Sequence, residues 1–431
     1  MKTLHPVTKG LHGRLIVPGD KSISHRAVMI GALSDGPTEI SHFLTGDDCE
    51  STINAFRALG VQIEQDGERV LVHGKGISGL KKPTHPLAMG NSGTTTRLMM
   101  GILAGTNFTS ELIGDQSLQR RPMERVSIPL QMFGGEVVLS PHGTLPAKVI
   151  GHQLHHANYQ MTVASAQVKS ALIFAALQAD GPSTIIEKLP TRDHTEIMLR
   201  QFGADIKTVD HQRIIVRPQP HLRGQAVEVP GDVSSAAFFL VAGAIIPHSD
   251  ITLEHVNLNP TRTGIIRVLQ KMGARIVVEE VPSAGEPLGN IRIMTSELSP
   301  IEIGAADIPS VIDELPLVAL LAACAGGQSK ITGAQELRVK ETDRIKTVVT
   351  ELRKFGVTVT ELADGMIIEG RQEWAEETVK LDSYGDHRIG MMDVIASLKA
   401  HQEMLLANDQ AINVSYPGFF ADLSLLGGKT K

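Results

Sequence analysis

Val17-Pro18-Gly19-Asp20-Lys21-Ser22-Ile23-Ser24 stands near the start of the chain, and Val229-Pro230-Gly231-Asp232-Val233-Ser234-Ser235-Ala236 returns near its middle. Each octet reads as the end of a strand, a Gly-Asp turn and a Ser-rich helix start. An apolar run of small residues follows each one, 27–33 in the first case and 237–246 in the second. A repeat this long, about half a 431-residue chain apart, divides the protein into two equivalent halves.

A finer repeat divides each half again. It reads Leu59-Gly60-Val61-Gln62-Ile63, Phe133-Gly134-Gly135-Glu136-Val137, Phe202-Gly203-Ala204-Asp205-Ile206, Met272-Gly273-Ala274-Arg275-Ile276 and Phe355-Gly356-Val357-Thr358-Val359. Leu426-Gly427-Gly428 is a truncated sixth copy. In each, a helix-periodic run closes on an apolar residue and Gly, and a strand-like segment follows. Gly suits the position after a helix because left-handed backbone costs it little. The spacing, roughly 70–80 residues, exceeds the period of about 20–50 seen in stacked solenoids. Each copy is therefore a small α/β module, and the expected fold class is α/β built of α+β repeats in two domains. The boundary is expected in residues 218–229, where Pro, Gln, His and Arg cluster.

Composition narrows the function. Hydrophobic residues make up 42% and charged residues 20%, which is ordinary globular usage. A net charge of -6 gives no sign of a nucleic-acid partner. Cys49 and Cys324 cannot build a disulfide framework or a four-ligand zinc site. The N-terminal residues lack an apolar signal core, and the apolar run 315–325 carries Pro316 and is too short to span a bilayer. A cytoplasmic protein without a membrane partner is expected.

Seven clusters could carry chemistry. In Gly19-Asp20-Lys21-Ser22-Ile23-Ser24-His25-Arg26, Asp20 or Ser22 can cap a helix whose free N–H groups, with Lys21 and Arg26, would cradle an anion. The spacing is not that of a Walker A loop. Gly90-Asn91-Ser92-Gly93-Thr94-Thr95-Thr96-Arg97 suits close approach of a ligand, or an ordinary Gly-rich turn. Gln119-Arg120-Arg121-Pro122-Met123-Glu124-Arg125 offers guanidinium forks, with Pro122 expected in the first turn of a helix. Ala164-Ser165-Ala166-Gln167-Val168-Lys169-Ser170 crowds polar groups into the start of an apolar helix. The run Thr191-Arg192-Asp193-His194-Thr195-Glu196 either adds charge nearby or starts a helix with Thr as cap. Ile312-Asp313-Glu314-Leu315-Pro316 drives carboxylates into an apolar stretch, which fits a general base, or a helix-start carboxylate that suits the dipole. Val339-Lys340-Glu341-Thr342-Asp343-Arg344-Ile345 places Lys340 and Arg344 on one helix face, or forms a salt-bridged surface helix. Tyr384-Gly385-Asp386-His387-Arg388-Ile389-Gly390-Met391 repeats the plan of the first cluster. His152, His155 and His156 tempt a metal reading but have no acidic or Cys partner nearby in sequence, so a solvated loop is expected and no metal.

Taken in order, these motifs resemble the enolpyruvyl transferases, and within them the branch that acts on shikimate 3-phosphate. The resemblance covers nearly the whole chain. It implies two domains, each of three βαβαββ units around a pseudo-threefold axis, an inside-out α/β barrel. It also implies that the N-terminal segment joins the second half, giving domains of residues 15–227 and of 1–14 plus 228–431. Carried over by position, Lys21, Ser22, Arg26, Ser165, Ala166, Gln167, Arg192, Asp313 and Lys340 would bind shikimate 3-phosphate. Lys21, Gly93, Thr94, Arg121, Gln167, Arg344 and Arg388 would bind phosphoenolpyruvate, with Asn91, Glu341 and His387 near. Asp313 would be the base, Glu341 the proton donor to carbon, and Lys21 a second acid/base. No cofactor and no oligomer is required.

Two positions depart from the family pattern. Val414 stands where some members have a lysine, and Ala166 stands where others have a second Ser. Three other readings compete. A sister enzyme that uses a UDP-sugar typically carries a Cys in a mobile loop, and residues 114–125 have none. A binding protein on the same fold should have lost Asp313, Glu341 or Arg344, and all are present. An RNA-end-modifying enzyme would need ATP and a nucleophilic His that nothing here singles out.

Overall fold

A computed structural model describes residues 1–218, 221–283, 285–370, 374 and 378–429. The chain forms two compact units, a continuous one, Gly19–Val229, and a discontinuous one, Met1–Pro18 with Pro230–Lys431. The crossings lie a few residues later than the sequence places them. Strand His12–Ile16 pairs in parallel with Asp250–Asn257, which keeps Leu15 and Ile16 in the discontinuous unit. Strand Ala226–Glu228 pairs with Ser34–Ser41, which keeps Glu228 in the continuous one. Gln219 and Pro220, part of the expected boundary, lie outside the described residues.

One module shows the plan of all. Leu87–Ala88, helix Gly93–Ala104, Thr109–Ile113, helix Glu124–Gln131, Glu136–Val138 and Ala147–Ile150 follow one another as βαβαββ. The first two strands pair in parallel, and the last two add as antiparallel neighbours. The sheet of Asn158–Gln160, Ser183–Ile186, Arg213–Val216 and Ile206–Val209 repeats that order. In the remaining sheet of this unit the parallel place beside Ser34–Ser41 is filled from the far end of the chain segment, by Leu222–Arg223 and Ala226–Glu228. The discontinuous unit closes in the same way. His12–Ile16 takes the parallel place in one sheet, and Lys2–Leu4 pairs antiparallel with Met404–Ala407 in the sheet of the truncated sixth module.

The module joints are set locally. Gly60, Gly134, Gly203, Gly273, Gly356 and Gly427 all have positive φ, from +78° to +102°, and each follows a helix. Only Gly takes that backbone at little cost, so the apolar-Gly signature marks where each helix must stop.

Each unit has its own core around three helices. In the continuous unit these are Lys21–Ala32, Gly93–Ala104 and Ala166–Ala176. In the other they are Val233–Ile245, Leu315–Cys324 and His387–Leu398. Every residue of Val233–Ile245 is buried. A helix apolar on all sides has nowhere to go but the centre, where each large side chain contributes about 1.5–3 kcal/mol. Small residues let the helices close up. A Cβ at Gly101 would sit 2.0 Å from the carbonyl oxygen of Ala171, so no side chain is tolerated there.

Among the described residues no helix is long and apolar enough to cross a membrane. Cys49 and Cys324 are both free thiols. Burial pushes Cys49 well up and Cys324 to about 12, which makes both poor nucleophiles.

Candidate active site

In the continuous unit the expected residues gather at helix starts. Asp20 caps Lys21–Ala32, its carboxylate accepting from the Ile23 N–H at 3.0 Å. Ser92 caps Gly93–Ala104 through the Thr95 N–H at 3.1 Å, and Ser165 caps Ala166–Ala176 through the Val168 N–H at 3.4 Å. The first residues of each helix, Lys21 and Ser22, Gly93 and Thr94, Ala166 and Gln167, thus present N–H groups that no helical carbonyl uses. Lys21 donates to Asp48 at 2.8 Å. Gln167 bridges two elements, donating to the Thr94 hydroxyl at 3.0 Å and accepting from Arg97 at 2.5 Å. Arg121 donates to the Asn91 side chain at 2.5 Å, and Asn91 donates to Asp115 at 2.6 Å. Gly93 faces these cations: a Cβ there would meet Arg97 at 3.1 Å and Arg121 at 3.4 Å. Arg26 lies one turn into its helix and is buried, donating to Thr195 at 2.7 Å, Ser170 at 2.9 Å and the Ser22 carbonyl at 2.9 Å.

The discontinuous unit gathers the carboxylates and two more arginines. Asp313 sits between the short helix Ile308–Val311 and helix Leu315–Cys324. Its carboxylate accepts from Lys340 at 3.3 Å and lies 3.7 Å from Arg344. Arg388 donates to the backbone carbonyl of Asp313 at 3.1 Å. Arg344 is 1% exposed and forks onto Asp386 at 2.8 and 3.1 Å, with Glu341 at 2.6 Å. Burial works against its charge, but Asp386 and Glu341 outweigh it and hold the guanidinium firmly protonated. Burial likewise pushes Asp386 up, yet Arg344 prevails and its carboxyl lies below the usual range. Asp386 also caps His387–Leu398, accepting from the Arg388 N–H at 2.9 Å. His387, next to it, is buried.

Several expectations change. Lys340 and Arg344 do not share a helix face, because Lys340 is extended and the helix begins at Arg344; Asp313 draws both toward it instead. Pro122 precedes its helix, which starts at Glu124. Thr191 is no cap, since the helix following it begins at His194 after Asp193. The three histidines do have acidic neighbours: His152 meets Glu136 at 3.0 Å, and His155 and His156 meet Asp180 at 3.0 and 2.9 Å. Among the described residues no group of three or more His, Cys, Asp or Glu could hold a metal ion. Val414 is half-buried at the end of turn Asp409–Val414. Ala166 lies directly after the Ser165 cap, where its N–H remains a donor.

Asp48, Asp115 and Glu187 escaped the sequence reading, while Arg97 and the buried pair Lys169 and Glu196 stood in its clusters without an assigned role. A lysine inside an apolar helix was a signal for the last group. Nothing in the spacing couples Asp48 to Lys21.

His25 is buried in the first of these capped helices. Its Nδ1 is 2.7 Å from Thr52 Oγ1, which is 2.7 Å from Thr95 Oγ1, which is 2.7 Å from the capping oxygen of Ser92. Burial lowers its pKa from 6.5 to about 3. Unfolded protein therefore binds this proton first, and stability present above 6.5 is lost as pH falls toward 3. The loss reaches about 1.4 kcal/mol per pH unit. Melting temperature is expected to fall between pH 6.5 and about 5, a window in which few carboxylates titrate, and to fall less steeply in His25→Asn. Equal slopes for the two proteins would rule out this assignment.

Known proteins share both the sequence and the fold of this chain. Residues 7–423 match the family model of EPSP synthase (3-phosphoshikimate 1-carboxyvinyltransferase). The chain is 58% identical over 423 residues to the 3-phosphoshikimate 1-carboxyvinyltransferase of Limosilactobacillus fermentum, covering 98% of each chain. It is 54% identical to that of Lactiplantibacillus plantarum, over 97% of this chain and 96% of the relative. The fold superposes on EPSP synthase from Acinetobacter baumannii with a TM-score of 0.88 at 41% identity, over 100% and 99% of the two chains. A match over nearly the whole length makes this chain a member of the EPSP synthase (3-phosphoshikimate 1-carboxyvinyltransferase) family.

Proposed function

We propose that this chain transfers the carboxyvinyl group of phosphoenolpyruvate to the 5-hydroxyl of shikimate 3-phosphate and releases phosphate. The reaction belongs to the shikimate route to chorismate and the aromatic amino acids, and we place it in the cytoplasm. One observation supports the residue roles. Apart from Arg26, every assigned residue stands in the first turn of a helix or within a few residues before one. Free N–H groups and the helix dipole favour anions there, and both substrates are phosphate esters.

Lys21, Ser22, Arg26, Ser165, Ala166, Gln167 and Arg192 take shikimate 3-phosphate, with Asp313 and Lys340. Lys21, Gly93, Thr94, Arg121, Gln167, Arg344 and Arg388 take phosphoenolpyruvate, with Asn91 and His387 beside them. Asp313 removes the 5-hydroxyl proton as that oxygen attacks the central carbon of the enol. Glu341 delivers a proton to the methylene carbon, with Lys21 as the second acid/base. Glu341, now a carboxylate, takes a proton back from the methyl group of the tetrahedral adduct as the C–O bond to phosphate breaks, which restores the double bond and releases phosphate. Arginines already tied down by Asn91 and Asp386 need little reorganisation as charge moves. One chain supplies every assigned residue, so a monomer suffices.

Phosphate release from purified protein tests the reading. Release is expected only with phosphoenolpyruvate and shikimate 3-phosphate together. Release with a UDP-sugar acceptor instead would overturn it in favour of the sister activity, and no release with either acceptor would favour a binding protein.

A further inference from the structure

Lys169 is a charged residue inside the apolar helix Ala166–Ala176, and it is fully buried. Its ammonium meets Glu196 at 2.8 Å and Glu187 at 3.1 Å, and both carboxylates are buried too. Burial pulls the lysine toward neutrality, but Glu196 and Glu187 more than offset this and its pKa rises. Stability alone does not account for such a cluster. Apolar side chains of similar volume commonly hold a buried site as well as ions do.

What the cluster has instead is a grip on one residue. Thr191 donates its N–H to Glu187 at 3.0 Å and its hydroxyl to the same oxygen. The carbonyl of Thr191 accepts from Lys169 at 3.2 Å. All three polar groups of Thr191 are thus spent on the cluster. Its carbonyl belongs to the peptide that leads into Arg192, so Lys169 sets the plane from which Arg192 departs. On the far side of Arg192, helix His194–Gln201 is held as well. Glu196 is tied to Lys169, and the Thr195 hydroxyl meets Arg26 and Ser170, both at 2.7 Å. Arg192 is bracketed on both sides by buried polar contacts.

We propose that Lys169 and Glu187 are positioning residues that aim Arg192 at the phosphate of shikimate 3-phosphate, an inference that rests on the role given to Arg192 above. Both oxygens of Glu187 only accept: one from Thr191, the other from Lys169. A glutamine cannot copy this, because its amide nitrogen would face donors on either side. Glu187→Gln therefore releases Thr191 with little change of volume.

The test is steady-state kinetics on the full chain, with each substrate varied in turn. Glu187→Gln is expected to raise KM for shikimate 3-phosphate about tenfold, while KM for phosphoenolpyruvate and kcat stay within about twofold. Arg192→Ala should raise the same KM, and the double variant should be no worse than Arg192→Ala alone, as residues acting through one contact require. Thr191→Val removes only the hydroxyl and should raise that KM about threefold, which carries the test if Glu187→Gln does not fold. An unchanged KM in Glu187→Gln and Thr191→Val, or fully additive effects with Arg192→Ala, overturns the proposal. An unchanged KM in Arg192→Ala would instead remove Arg192 from the site, a separate failure that the same data reveal.

Discussion

Asp313→Asn is expected to lower kcat at least about 100-fold while both substrates still bind. Asparagine fills the same space and its carbonyl can accept from Lys340, which now donates to the carboxylate at 3.3 Å. Arg388 contacts the backbone of Asp313 rather than its side chain, so that contact survives as well. What disappears is the group that can take the 5-hydroxyl proton. Equilibrium binding of each substrate, followed by single-turnover chemistry, separates the two effects. Near-normal turnover would remove Asp313 from the role of base. Weakened binding with unchanged chemistry would make it a binding residue only.

Arg344→Met is expected to destabilise the protein by about 3–5 kcal/mol, the usual result of removing one partner from a buried ion pair. Asp386 is 0% exposed, and Arg344 supplies the charge that offsets its burial. Asp386→Asn in the same chain should recover much of the loss, since asparagine can still cap His387–Leu398 through the Arg388 N–H. The pH dependence has a definite sign. In the parent, the folded carboxyl lies below its unfolded value of 3.8, so its stabilisation holds above 3.8 and is lost as pH falls through the folded value. In Arg344→Met, burial and the neighbouring Glu341 push the carboxyl up and outweigh the smaller opposing pull of His387, so the variant's deficit should grow as pH rises above 3.8. Urea unfolding at several pH values measures both effects. A deficit independent of pH, or no rescue by Asp386→Asn, would show that Asp386 is not the cause. Activity should also fall, because Arg344 is assigned to phosphoenolpyruvate.

Much of the architecture was legible from local chemistry. The apolar-Gly pairs at Gly60, Gly134, Gly203, Gly273, Gly356 and Gly427 each mark a helix end with positive φ. Asp20, Ser92, Ser165, Asp232 and Asp386 each cap a helix with a side-chain oxygen. Such signals work within four or five residues, which is why the helix starts holding the assigned residues could be read in advance. Where the reading strayed, at Pro122, Thr191 and Lys340, the competing influence was the path of a loop. Lys340 and Arg344 are four apart, but the backbone turns extended at Lys340 and Asp313 gathers both.

The sequence by itself determined that this chain is a set of α/β modules in two halves, with its candidate site residues at capped helix starts. Caps, glycine stops and hydrophobic periodicity act over a few residues and need no knowledge of the rest. Tertiary structure alone decided which charges meet. Lys21 finds Asp48 across 27 residues, Arg344 finds Asp386 across 42, and Lys169 reaches both Glu187 and Glu196. It also fixed which strands of the second half the first strands pair with, Lys2–Leu4 with Met404–Ala407 and His12–Ile16 with Asp250–Asn257, where the family resemblance implied only that the N-terminal segment joins that half. The physical reason is common to all. A charge pair or a strand partner far away in sequence is chosen by which buried helices converge and which sheet edge is left open, and no local spacing encodes that choice.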